Sequence, residues 1–128
     1  IVVDRDPRDI YATAITSQLG FNDNLEFYKR IAGAHDVDIF IKRYNLYRAM
    51  VKESSKNVLR INFEDLVNNY DVTRLAIVSF LGLSIEDHKE QFKYFDPKHS
   101  VANTNLWIRS DLQKYKGDFC RISECANI

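Results

Sequence analysis

The sequence has little cysteine, no surplus of either charge and no long apolar run, and each scarcity argues against a class of function. Only Cys120 and Cys125 occur in 128 residues, with no further cysteine or clustered histidine to complete the four ligands of a structural zinc site. No metal centre is expected. The two thiols are either free, as in a cytoplasmic protein, or joined in a local disulfide. Lys plus Arg and Asp plus Glu number 18 each, a formal net charge of zero. That balance argues against a general nucleic-acid or anionic-membrane binder, which carries a basic excess or stripe, so any phosphate site has to be local. The longest apolar stretches, such as Leu75 to Phe80, fall far short of the ~20 residues that span a bilayer. The first residue is Ile rather than Met, and no charged region, apolar region or cleavage site precedes what reads as a buried strand. The expectation is a cytoplasmic chain that continues upstream of Ile1.

With 45% hydrophobic and 28% charged residues, the chain has the makeup of a soluble globular protein of about one domain. Ile1-Val2-Val3 is a β-branched run entering Asp4-Arg5-Asp6-Pro7. Asp6 suits an N-cap, and Pro7 suits the first helical position, where its missing N–H needs no partner. Apolar spacing predicts a helix from about Pro7 to Leu19, stopped by Gly20, and a second from Asp36 to about Ser54. Between them, residues 21 to 35 read as a loop with a short helix. Val58 to Phe63 reads as a strand, and Asp71 to about Leu81 as a helix closed by Gly82. Beyond Leu83 the pattern predicts a polar helix around Ile85 to Phe92, an irregular stretch from Asp96 to Trp107 and a last helix. No internal repeat and no low-complexity linker is present. The order of elements implies an α/β fold with parallel strands flanked by helices.

Arg5 stands at the carboxyl end of the first strand, directly before a helix N-terminus, where backbone N–H groups and the helix dipole favour an anion. Thr13 follows eight residues later on the same helix, where its hydroxyl reaches a phosphate lying along the first two turns. The plainer alternative pairs Arg5 with Asp6 or Asp9 and leaves Thr13 as helix surface.

The stretch Ile1 to Thr13, IVVDRDPRDIYAT, resembles the 3′-phosphate-binding strand-helix of sulfotransferases that use PAPS (3′-phosphoadenosine 5′-phosphosulfate). That family's pattern is an apolar strand, Arg-Asp-Pro-Arg-Asp, then Ser or Thr. A second stretch, Val58 to Leu83, is similar to the family's strand ending in Tyr-Glu-Asp-Leu and its helix ending in Phe-Leu-Gly-Leu. The resemblance covers about Ile1 to Leu83 well and the remainder loosely. It implies that Arg5 and Thr13 hold the donor's 3′-phosphate, and that the fold is part of a three-layer P-loop type. Residues 1–128 would then be the C-terminal part of a single sulfotransferase domain.

There are departures from the family pattern. Phe63 replaces the Tyr that lies near the adenine, so the ring is kept and the hydroxyl lost; a core aromatic is the alternative. Glu64 and Asp65 fit the fold better than proton transfer, with Asp65 as a helix cap. The run His99 to Arg109 faintly resembles a donor-binding loop with Gly-Asn and an Arg, but Ala102 stands where Gly would be and Arg109 falls late. Arg109 is either a phosphate contact or one half of a surface ion pair. Lys114 and Lys116 read as a solvated face. His35, His88 and His99 lack partner patterns for a nucleophile or metal, and His99 reads as solvent-facing. The Gly- and Ser/Thr-rich basic loop that cradles the 5′-phosphosulfate does not occur in this sequence, so these residues would hold at most half of the donor. No catalytic base is identifiable.

The function these features imply is transfer of a sulfuryl group from PAPS to a hydroxyl or amine acceptor, such as a carbohydrate, by in-line displacement. The product nucleotide would be PAP, adenosine 3′,5′-bisphosphate. One alternative is a non-catalytic nucleotide-binding or interaction remnant of the same fold. Another is a P-loop kinase or related enzyme that prefers a 5′-triphosphate. Neither the acceptor nor the oligomeric state can be read from the sequence.

Overall fold

A computed structural model describes residues 1–16, 30, 32–51 and 56–126. Residues Ile1–Arg5 and Glu53–Thr104 form one compact unit, and Asp6–Lys52 with Asn105–Ile128 form a second.

In the first unit, β1 (Val2–Asp4) pairs in parallel with β2 (Arg60–Asn62), in the register Val2 to Arg60, Val3 to Ile61 and Asp4 to Asn62. Arg60 forms an ion pair with Asp4 across the strands. Two elements follow β2, α3 (Phe63–Asn68) and α4 (Tyr70–Phe80). The sequence suggested a strand through Phe63, yet Phe63 begins α3. Glu64 and Asp65 occupy its first turn, where acidic side chains favour helix over extended chain. Asp65 is therefore not the cap. Asn62 holds that position, and the Asp65 carboxylate accepts instead from the side-chain amides of Asn62 (3.2 Å) and Asn69 (3.4 Å). At the end of α4, Gly82 adopts φ +66°. Its N–H donates to Ser79 O and that of Leu83 to Val78 O, both at 3.0 Å, closing the helix in a Schellman motif that a side chain at Gly82 would strain.

Past this point the expected helix from Ile85 to Phe92 is not formed. Ile85–Asp87 is a single 3₁₀ turn, held by reciprocal capping between Ser84 and Asp87. The Arg74 side chain takes the Ile85 carbonyl, and Phe92 sits at φ +67°, incompatible with a continuing helix. The stretch expected to be irregular instead opens with the short α5 (Pro97–Ser100). Asp96 caps it by accepting from Lys98 N at 2.9 Å, with proline in the first turn. The first strand was expected to be buried, but Val3 is 53% exposed. In this unit the buried side chains among the described residues are Val67 and Thr73, because one pair of strands offers little surface to cover a sheet face.

The second unit holds the larger core. In α1 (Pro7–Thr16), the Asp6 carboxylate accepts from Arg8 N at 2.8 Å, so Asp6 caps the helix as its position implied. The extension expected to Leu19, and the loop expected over 21 to 29, lie outside the described residues. α2 (Val37–Met50) is capped by Asp36, which accepts from Ile39 N at 3.0 Å; the rest of its expected extent, 52 to 54, is likewise undescribed. α6 (Lys116–Cys125) follows a run of 3₁₀ turns from Leu106 to Tyr115. Tyr11, Ala12 and Ile15 of α1, Phe40 and Ile41 of α2, and Phe119 and Ile122 of α6 pack with Ala34 and Leu112 into one cluster. Tyr11 meets Phe40 and Phe119 edge-on, at centroid distances of 5.1 and 6.0 Å. Its hydroxyl donates to Asp118 at 2.7 Å. Burial first, and then this carboxylate, push the Tyr11 phenol well above its ordinary range.

The α/β character with parallel strands is thus present in a chain that is mostly helical. Among the described residues no helix is long and apolar enough to cross a membrane. Cys120 and Cys125 are both free.

Candidate functional site

The register of the two strands places Asp4 opposite Asn62, so the next residues, Arg5 and Phe63, leave the sheet side by side at its carboxyl edge. In open α/β sheets ligands bind in the crevice outside the carboxyl ends of the strands. The Arg5 guanidinium carbon lies 5.3 Å from the centroid of the Phe63 ring, within range of a cation–π interaction. One Arg5 terminal nitrogen donates to the Asn103 carbonyl at 2.5 Å. The Phe63 ring in turn meets Phe95 edge-on, at 6.5 Å and 83°. In the second unit the Asp6 carboxylate pairs with Arg8. Arg5 is a cation steadied by a carbonyl and an aromatic face, a combination suited to an anion attached to a flat ring.

The other sequence-identified residues lie in the second unit. The Thr13 hydroxyl donates to the Asp9 carbonyl one turn back, at 2.8 Å, so donation to a phosphate would require that proton to turn away. Arg109 forms a two-pronged ion pair with Asp111, at 3.1 and 2.9 Å, with both side chains about half exposed. Its geometry is that of a surface pair. His99 is 90% exposed and lies 3.5 Å from Asp96. Among the described residues no three His, Cys, Asp or Glu side chains come together as metal ligands.

The most deeply buried carboxylate among the described residues is one the sequence reading named only as a possible partner of Arg5. Asp9 is 1% exposed. Its carboxylate accepts from the backbone N–H groups of Asn105 (2.7 Å), Leu106 (2.7 Å) and Trp107 (3.4 Å). Burial raises its pKa and the three N–H groups pull it back, with burial the larger effect. Asp9 thereby organises the turn in which Asn105 adopts φ +56°. Beside it, Arg8 donates to both oxygens of Asp6 and stacks over Trp107, its guanidinium carbon 4.0 Å from the ring centroid. The signal lay in the motif itself: the second Arg-Asp of Arg-Asp-Pro-Arg-Asp sits in the first turn of α1, and this pair orders a distant turn.

Comparison of the chain with protein-family models, with curated proteins and with solved structures found no significant match.

Proposed function

We propose that this chain is the C-terminal part of a PAPS-dependent sulfotransferase domain of three-layer P-loop type, and that Arg5 and Phe63 receive the adenosine 3′-phosphate end of the donor. The observation that carries the reading is the coincidence of the IVVDRDPRDIYAT stretch with a guanidinium and an aromatic ring at the carboxyl edge of a parallel strand pair. An arginine at that edge recognises phosphate through paired, charge-assisted hydrogen bonds. Phe63 supplies a π-face for adenine without a hydrogen bond. The resemblance names Thr13 and Arg109 as further phosphate contacts, to be tested singly. In the full reaction the sulfuryl group passes to a hydroxyl or amine acceptor, such as a carbohydrate, by in-line displacement. The groups that cradle the phosphosulfate and deprotonate the acceptor are not assigned to residues of this sequence.

Nucleotide preference tests the reading. Titration calorimetry with PAP, 5′-AMP and ATP should rank PAP above 5′-AMP, because only PAP carries the 3′-phosphate. ATP binding more tightly than PAP would favour a 5′-triphosphate enzyme, and no binding of any of the three would favour an interaction module.

A further inference from the structure

Within the first unit a cavity of about 320 Å³ opens against α4, with Phe95 between it and the Arg5 edge. Leu66, Ile77 and Val78 give it an aliphatic floor, and Tyr70, Phe92 and Phe95 an aromatic wall. Tyr70 stacks on Phe95 at 6.1 Å and 16° and meets Phe92 at 5.2 Å. These groups do not close over one another: Phe92 and Leu81 at the rim remain 49% and 51% exposed. Phe92 holds φ +67°, a backbone conformation that a bulky residue adopts at a cost and keeps only where its surroundings impose it. A cavity of this size, mostly apolar with a few convergent polar groups, has the form of a small-molecule site.

Arg74 sets the chemistry of its occupant. The guanidinium donates from Nε to His88 Nδ1 at 2.8 Å and from Nη2 to the Ile85 carbonyl at 3.3 Å. Among the described residues no carboxylate lies within ion-pair distance of it, and Glu90, the acid on the rim, pairs with Lys93 at 2.6 Å. A fixed cation without a carboxylate partner among the described residues, beside an apolar cavity, favours an anion, because a charged acceptor strengthens each hydrogen bond it receives there.

We propose that this cavity binds a small amphipathic carboxylate, its hydrocarbon body against Tyr70, Ile77 and Phe95 and its carboxylate on Arg74. The test uses 1-naphthylacetate and its neutral amide as probes, titrated into the purified protein by calorimetry and by methyl shifts of Leu66, Ile77 and Val78. The carboxylate should saturate below about 1 mM, bind at least roughly tenfold more tightly than the amide, and shift those methyls. Arg74→Gln should reduce carboxylate binding to the level of the amide. Leu81→Trp, at a half-exposed rim position less sensitive to folding, should weaken both probes. Equal affinity for the two probes, an unchanged preference in Arg74→Gln, or no saturation below about 10 mM overturns the proposal. Naphthylacetate binding that survives a failure to bind PAP, or the reverse, would show that this site and the proposed donor site fail separately.

Discussion

Replacing Asp9 tests how the Arg-Asp-Pro-Arg-Asp motif serves the fold. In Asp9→Ala, two well-formed backbone donors, Asn105 N and Leu106 N at 2.7 Å, and a weaker one, Trp107 N at 3.4 Å, lose a charged acceptor at a site 1% exposed. A hydrogen bond to a charged group contributes about 1.5–3 kcal/mol, and removal of the carboxylate also relieves the cost of burying it. The net loss expected is about 2–4 kcal/mol. Asp9→Asn keeps one acceptor oxygen but sets an amide N–H against a backbone N–H, for about 1–2 kcal/mol. Trp107 is the sole tryptophan and part of this turn, so urea unfolding followed by its fluorescence reads the effect directly. The pH dependence has a definite sign. Burial raises the Asp9 carboxyl above its usual value of 3.8, so the folded state binds its proton more tightly than the unfolded state. The stability contributed by that proton is present below the usual value and is lost as pH rises through the raised one. The gap between wild type and Asp9→Asn should therefore be widest in acid and narrow toward neutrality. Equal stability of Asp9→Ala and wild type would refute the structural role, and a gap widening with pH would refute the electrostatic argument.

Other predictions follow from packing and pairing. Ile122→Ala, at a side chain with no exposed surface, should cost about 2–5 kcal/mol in denaturant unfolding; a loss under 1 kcal/mol would mean that the helices do not pack as described. Tyr11→Phe removes the hydroxyl donated to Asp118 and should cost about 0.5–1.5 kcal/mol, measured by thermal melting. Arg109→Ala breaks an exposed pair with Asp111 and should change stability by under about 1 kcal/mol. If it also leaves PAP affinity unchanged, Arg109 is a surface pair and not a donor contact.

The elements legible in the sequence were those whose signals are local. Asp6-Pro7 announced the start of α1, Asp36 lies at the cap of α2, and Gly82 closes α4, because caps and turn glycines act within a few residues. The misread stretches were decided by contacts distant in sequence. Ile85 to Phe92 carries a plausible helical pattern, but the Arg74 side chain takes the Ile85 carbonyl and Phe92 adopts a positive φ. No local rule reveals either. Phe63 read as a strand end, and the two acids after it, in the first turn of α3, decided for the helix. At the candidate site, Arg5 could be placed at a strand end, but its approach to Phe63 depends on the β1–β2 register. Asp9 was invisible as an organiser because the donors it serves lie 96 to 98 residues away.

The most direct test of the donor-site reading is the affinity of PAP for wild type and for Arg5→Ala, each referenced to 5′-AMP. If Arg5 holds the 3′-phosphate, the substitution weakens PAP by about 1.5–3 kcal/mol and leaves 5′-AMP nearly unchanged, which removes the preference between the two nucleotides. A preference for PAP that survives in Arg5→Ala, or one absent from the wild type, would contradict it.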